Sequence, residues 1–170
     1  MTDPANLSTW FEAHADALVL YARQWLDRGG AEDVVQEVFV RLMAQRREPP
    51  NVKAWLYACV RNAAISEARS VFRRRRREQT AAGRMPGWFN PHPRDVLEAD
   101  TVQQAVQGLP ARQREVLLLR VWSGMTLNEV AQVTGLAIST IFDEYRRGLD
   151  GVRRVMENTC RAKNEATTRS

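Results

Sequence analysis

Apolar residues recur every three or four positions along most of the chain, which is the spacing of amphipathic α-helices. No segment shows the alternation of apolar and polar residues that is typical of a half-buried β-strand. The helical pattern forms two groups, residues 1–77 and 96–158, separated by a glycine- and proline-rich stretch at 78–95 and followed by a polar tail at 159–170. We therefore predict an all-α protein with two small helical domains, a flexible linker between them and a flexible tail.

Three helices are expected in the first domain. Their predicted bounds are Thr9–Asp27, Glu32–Gln45 and Asn51–Arg77. A capping box formed by Thr9 and Glu12 would begin the first helix, and Gly29-Gly30 would end it. Asn51 would cap the third helix, which has a possible break near Asn62–Ser66. The second helix carries more apolar residues than one narrow stripe needs, so part of its surface should contact another helix or another protein.

The second domain ends in two short helical patterns that meet at Gly135. Thr126 and Glu129 have the spacing of a capping box. Gly135 has no Cβ and can therefore adopt the left-handed conformation of a tight turn. Ser139 could cap the following helix, whose inward positions are expected to be Ile141, Tyr145 and Leu149. The pattern favours a helix-turn-helix at the end of this domain, and a plain αα-hairpin is the alternative.

Charge adds to this picture because the basic residues are clustered. The net charge is +5 and the isoelectric point is about 9.9, a mild excess that many proteins share. Five consecutive arginines, Arg73–Arg77, end the third helical pattern, and Arg69 lies one turn before them. A basic run at the end of an amphipathic helix favours contact with phosphate groups over a merely solvated surface.

Composition argues against several other classes of protein. The hydrophobic content of 44% is that of an ordinary globular protein, and no run approaches the roughly 20 apolar residues of a membrane span. The two cysteines lack metal-ligand spacing, and neither His14 nor His92 has a partner at ligand spacing. No phosphate-binding glycine loop or nucleophile motif is present. We expect a cytoplasmic protein that is not an enzyme and has no metal or cofactor.

Three segments in order resemble the extracytoplasmic-function sigma factors of bacterial RNA polymerase. They are AEDVVQEVFVRL (Ala31–Leu42), NVKAWLYACVRNAAISEARSVFRRRRR (Asn51–Arg77) and LPARQREVLLLRVWSGMTLNEVAQVTG (Leu109–Gly135). The resemblance implies a subunit that binds the β′ clamp helices and the β flap of core polymerase and directs it to promoter DNA. A stand-alone helix-turn-helix transcriptional regulator is the alternative reading.

The resemblance assigns the second helix to core polymerase. The residues that it implies in this contact are Asp33, Val34, Gln36, Glu37, Val38 and Arg41. The polar members would form the rim of the contact and the excess apolar residues of the helix, with Val34 and Val38 among them, its centre, which would account for the wide apolar surface. The alternative for the polar members is a solvated helix face.

The resemblance assigns the third helix to the minus-ten element of the promoter. The implied residues are Trp55, Arg61, Asn62, Ser66, Arg69, Arg73 and Arg74. Asn62 would hold a base extruded from the non-template strand, because an amide side chain can both donate and accept hydrogen bonds at a Watson–Crick edge. The arginines would bind phosphates. Trp55 could instead be a core residue, and Asn62 a polar residue that interrupts the helix.

The helix-turn-helix would dock at the minus-thirty-five element. The implied residues are Ser139, Thr140, Phe142, Asp143, Arg146 and Arg147. The chain departs from the family here, because the positions of Phe142, Asp143 and Glu144 usually carry basic or small polar residues. We expect recognition of this element to be altered or weak, with specificity resting on the minus-ten pocket or on an accessory DNA-binding partner. Any anti-sigma factor would be a separate chain.

Overall fold

The computed structural model describes the backbone of residues 4–82 and 99–167. Within these ranges every regular element is helical, as the apolar spacing predicts. The elements are α1 (Pro4–Ala22), α2 (Arg28–Met43), α3 (Val52–Ala82), α4 (Ala99–Gln107), α5 (Ala111–Leu117) with a π-helical continuation (Leu118–Trp122), α6 (Leu127–Thr134) and α7 (Ile138–Thr167). The all-α prediction is therefore confirmed.

The chain divides into two compact units. The first contains α1–α3, and the second contains α4, α5, most of α6 and α7. Helix α3 continues to Ala82, so the first five residues of the stretch predicted as linker are helical. The stretch from 83 to 95 lies outside the described residues.

In the first unit, α1 packs on both α2 and α3. The core is formed by aliphatic and aromatic side chains from all three helices, including Leu18, Tyr21, Val35, Val38, Leu42, Leu56, Tyr57 and Val60. The rings of Tyr21 and Tyr57 join α1 to α3, with centroids 5.2 Å apart. Burial of these side chains supplies the main stabilisation that three separate amphipathic helices lack.

The boundary between α1 and α2 differs from the prediction. Helix α1 ends at Ala22, and α2 begins at Arg28 with Asp27 as its N-cap, whose Oδ1 accepts a hydrogen bond of 2.9 Å from the Gly30 amide. Gly29-Gly30 therefore lies in the first turn of α2 and does not end α1. Thr9 lies inside α1, and Glu12 accepts from the Ser8 hydroxyl, so the predicted capping box at Thr9 is wrong.

Helix α3 confirms its predicted cap and excludes the predicted break. The Asn51 side chain accepts a hydrogen bond of 3.0 Å from the Ala54 amide, which satisfies one of the free donors of the first turn. The helix then runs without interruption for 31 residues. Asn62 and Ser66 are exposed, so they do not compete for backbone hydrogen bonds inside the core.

The predicted helix-turn-helix is present and consists of α6, the turn at Gly135 and α7. The capping box forms in both directions, since the Glu129 amide donates to the Thr126 hydroxyl at 3.2 Å and the Thr126 amide donates to Glu129 Oε2 at 2.8 Å. Gly135 has φ of +72°, the left-handed conformation that the turn requires. Helix α7 begins at Ile138, so Ser139 lies inside its first turn and is not its N-cap.

The inward face of α7 follows the true helical repeat. Ile141 and Gly148 are buried and Tyr145 is half-buried, whereas Leu149 is 41% exposed. A strict spacing of four residues drifts from the 3.6-residue period, which brings Gly148 and not Leu149 to the core. A Cβ on Gly148 would lie 3.4 Å from Leu117 Cδ1, so the glycine lets α7 approach α5 closely. The helix continues to Thr167, into the stretch predicted as a flexible tail.

Gly135→Ala should lower the free energy of unfolding by about 1–2 kcal/mol, because alanine is strained in the left-handed region. Gly29→Ala is the matched control, since a Cβ at either position would meet no atom within 4 Å and Gly29 has no positive φ. The control should be neutral or stabilising by up to about 1 kcal/mol. Urea unfolding followed by circular dichroism measures both, and equal effects of the two substitutions would contradict this account of the turn.

The two cysteines should differ in reactivity. Burial raises the pKa of the Cys59 thiol, with a smaller opposing effect from Arg41, whereas Cys160 is exposed. Because the thiolate is the reactive form, labelling with an aromatic disulfide reagent at pH 8 should modify Cys160 at least about tenfold faster than Cys59. A Cys160→Ser variant isolates the slow phase. A fast phase that survives in this variant would show that Cys59 is accessible.

Candidate functional site

The outer face of α3 carries a continuous polar and basic stripe. Asn62, Ser66, Arg69 and Arg73, called here the α3 stripe, follow one another at spacings of four, three and four residues, and all four are exposed. They lie opposite the face that the helix buries in the core, which includes Leu56, Val60 and Ala64. The stripe is about 16 Å long at 1.5 Å per residue. It combines an amide at one end with two guanidinium groups at the other.

The other α3 residues predicted to contact DNA are placed less uniformly. Trp55 lies on the same face as the α3 stripe, two turns before Asn62, and is half-buried. Arg61 is half-buried beside the stripe. Arg74 is exposed but is rotated about 100° from Arg73 around the helix axis, so the two arginines point in different directions. The structure thus brings together four of the seven predicted residues in one exposed line.

The outer face of α2 presents the four predicted polar residues to solvent. Asp33, Gln36, Glu37 and Arg41 are all exposed, and the Glu37 carboxylate forms an ion pair with Arg41 one turn later. An exposed pair of this kind contributes little stability, so these side chains are available for other contacts.

The two valines assigned to this contact are a correction. Val34 is 6% exposed and Val38 is fully buried, because both pack into the core of the first unit. They cannot form the centre of a contact with another protein. The excess of apolar residues on α2 is mostly accounted for by packing against α1 and α3.

Sequence reasoning missed the apolar residues that α2 does expose. Val40 is 62% exposed and Met43 is 49% exposed. They line one side of a groove of about 490 Å³, together with Gln36 of α2, and Phe11 and Leu7 of α1 line the other side. Val40 lies seven residues after Asp33 and three after Glu37, and this spacing already placed it on the polar face.

The first turns of α7 expose a mixed surface. Ser139, Phe142, Asp143, Arg146 and Arg147 are exposed, and Thr140 is half-buried. The Arg146 guanidinium carbon lies 5.9 Å from the centroid of the Phe142 ring, a cation–π contact that restrains both side chains. Ile138 is 47% exposed one turn before Phe142, and sequence reasoning missed it because it was expected to belong to the turn.

Comparison with known proteins identifies both units. A family model described as Sigma-70 region 2 matches residues 10–78, and one described as Sigma-70, region 4 matches residues 99–150. The ECF RNA polymerase sigma factor ShbA of Streptomyces griseus is 30% identical over 162 residues, which cover 85% of this chain and 85% of the relative. The chain belongs to the extracytoplasmic-function (ECF) sigma factors.

Two further comparisons agree with this assignment. The sigma factor is 33% identical to the ECF sigma factor EcfG of Rhodopseudomonas palustris over 69% of this chain and 66% of the relative. Its fold is similar to that of the sigma factor RpoE of Bartonella quintana, solved in complex with the anti-sigma factor NepR, with a TM-score of 0.67, 26% identity, and coverage of 89% of this chain and 97% of that one.

The candidate surfaces of the sigma factor fall inside the matched segments. The α2 face and the α3 stripe lie within the region 2 match, and α6, the turn and the first turns of α7 lie within the region 4 match. Among the described residues, no group of three or more His, Cys, Asp or Glu side chains could hold a metal ion. None of the described helices is long and apolar enough to cross a membrane.

Proposed function

We propose that this sigma factor directs core RNA polymerase to specific promoters and nucleates DNA melting there, without catalytic chemistry of its own. The observation that carries the proposal is the α3 stripe, which places an amide and two arginines in one exposed line on the side of α3 away from the core. Asn62 would hold an extruded base of the minus-ten element, and Arg69 and Arg73 would bind the phosphates that follow it. The length of the stripe corresponds to at most about five nucleotides, since 3.4 Å is the rise per nucleotide in a duplex and an extended unpaired strand has a larger one.

The contact with core polymerase is assigned to α2. Its outer face combines exposed polar side chains with an apolar groove lined by Phe11, Val40 and Met43, which is the composition of a transient protein interface. The β′ clamp helices are the proposed occupant of this groove, with Asp33, Gln36, Glu37 and Arg41 at its edge. The β flap would contact the second unit.

The minus-thirty-five element is assigned to the first turns of α7. Phe142 and Ile138 offer apolar surface for thymine methyl groups, and Asp143 offers an acceptor for the amino group of cytosine. Arg146 and Arg147 remain for phosphates or guanine. Since an exposed carboxylate is repelled by phosphates, we propose that this readout differs from the usual family contacts and contributes less affinity.

Regulation by a separate anti-sigma chain is also proposed. The RpoE protein of Bartonella quintana, which this chain resembles, was solved in complex with the anti-sigma factor NepR. A regulator of this kind would act by covering the polymerase or DNA surfaces described above.

Coelution with purified core polymerase tests the proposal against the stand-alone alternative. The sigma factor should form a stable complex with core polymerase and should bind promoter DNA specifically only within it. If the free chain bound duplex DNA tightly and with sequence specificity, and did not coelute with core polymerase, it would be a stand-alone regulator.

A further inference from the structure

An aromatic ring lies exposed among the arginines of α3. Phe72 is 50% exposed, and its neighbours Arg69 and Arg73 are exposed on the same helix. Phe11 of the same unit is exposed to a similar extent, 46%, but its ring packs edge-on against that of Phe39, with centroids 4.9 Å apart. Half of the Phe72 side chain therefore stays in water beside cationic groups, where it adds little to folding.

The position of Phe72 relative to the α3 stripe is set by the helical repeat. It is rotated about 80° from Asn62 around the helix axis, so it borders the stripe on one side and does not face the core. It lies ten residues after Asn62, a distance of about 15 Å along the axis. Arg69 lies one turn before it and Arg76 one turn after it, each within about 60° of it around the helix axis, and both are exposed.

A ring flanked by guanidinium groups has the chemistry of a site for unpaired nucleic acid. Proteins that hold single strands combine cations that bind the backbone with aromatic side chains on which bases stack. Every base has a π-face, so stacking does not require a particular base, and the arginines neutralise the phosphates on either side. A duplex cannot use the ring in this way, because its bases are already stacked on one another.

We propose that Phe72 is a stacking site for an unpaired base of the promoter strand that is opened around the minus-ten element. Given the length of helix between them, this base lies within about four nucleotides of the one assigned to Asn62. The inference rests on the proposed function, and it adds a second base-binding position that would favour the melted strand over the duplex.

The test uses holoenzyme reconstituted from core polymerase and the full chain. The probe is a fork-shaped promoter fragment with a single-stranded minus-ten region, in which each base is replaced in turn by an abasic nucleotide. For the unaltered protein, binding should weaken by about tenfold or more at one position near the Asn62 base, because one stacking contact is lost. Holoenzyme with Phe72→Ala should bind the intact fork about tenfold more weakly than the unaltered holoenzyme does. Removing the base at the sensitive position should then weaken its binding no further.

Two other variants separate stacking from simple apolar contact. Phe72→Trp keeps an aromatic face and should bind as the unaltered protein does, whereas Phe72→Leu keeps apolar volume without a π-face and should weaken binding as Phe72→Ala does. Leu20→Ala is the control, since Leu20 is 43% exposed on α1 and lies outside the surfaces assigned above. It should bind the fork normally.

Three results would overturn the proposal that an unpaired base stacks on Phe72. Full binding by Phe72→Leu would reduce the role of Phe72 to apolar contact, with DNA or with protein. If Phe72→Ala weakened binding to the fork and to a fully duplex promoter fragment equally, the contribution of the ring would not require unpaired bases. An abasic scan without a sensitive position, or one in which Phe72→Ala stays equally sensitive, would show that no base stacks there. If the unaltered holoenzyme assembled but did not bind the fork, the proposed function itself would fail.

Discussion

Replacing Asn62 with alanine should leave the sigma factor bound to core polymerase and reduce promoter opening by about tenfold to a hundredfold. The physical reason is the loss of paired amide hydrogen bonds to an extruded base, each good pair being worth about 1–3 kcal/mol. Asn62 is exposed, so its removal leaves no buried group unsatisfied and the fold should be unaffected. Permanganate reactivity of unpaired thymines in the minus-ten region measures the opened fraction.

A substitution with the same chemistry elsewhere provides the control for Asn62. Asn158 is also exposed, on the last part of α7, and lies beyond the segment matched by the region 4 model. Asn158→Ala should open promoters normally. If both variants opened promoters as well as the unaltered protein does, Asn62 would not hold the extruded base, and another residue would have to do so.

Replacing Val40 with aspartate should weaken binding to core polymerase by at least about a hundredfold. Val40 lies beside the groove between α1 and α2, and a carboxylate that is buried there on binding would lose its water without gaining a partner. Because Val40 is 62% exposed in the free protein, the substitution should not destabilise the fold. Fluorescence anisotropy of the labelled sigma factor titrated with core polymerase gives the affinity.

Two further substitutions show whether the effect at Val40 is local. Leu20→Asp places the same charge on an exposed apolar position of α1 and should bind polymerase normally. Val34→Asp should instead unfold the first unit, since Val34 is buried in its core. If Val40→Asp bound core polymerase with unchanged affinity, the outer face of α2 would not be the contact surface.

Features that depend on nearby residues could be predicted from the sequence. The cap at Asn51, the capping box of Thr126 and Glu129, and the left-handed turn at Gly135 each follow from the chemistry of a few consecutive residues. The predicted cap at Thr9 is wrong because Thr9 lies inside the helix Pro4–Ala22. The predicted helix end at Gly29-Gly30 is wrong because Asp27 caps α2, which begins at Arg28 and includes both glycines.

Features that depend on how neighbouring helices pack against one another could not be predicted from the spacing along one helix. Val38 and Val40 have the same side chain on the same helix, yet the first is fully buried and the second is 62% exposed. The spacing along α2 places Val40 on the polar face, but the groove that it lines with Phe11 depends on how α1 packs against α2, which the pattern along α2 does not contain. On α7 the 3.6-residue repeat brings Gly148 to the core, but the sequence does not show that Leu117 is the side chain that it meets there.

The most direct test of the central claim is in vitro transcription of fragmented genomic DNA by purified core polymerase, with and without the sigma factor, followed by sequencing of the RNA 5′ ends. The account predicts start sites that appear only when the sigma factor is present and that share a minus-ten motif, with Asn62→Ala abolishing most of them. The same start sites and yields in the presence and absence of the sigma factor would contradict it.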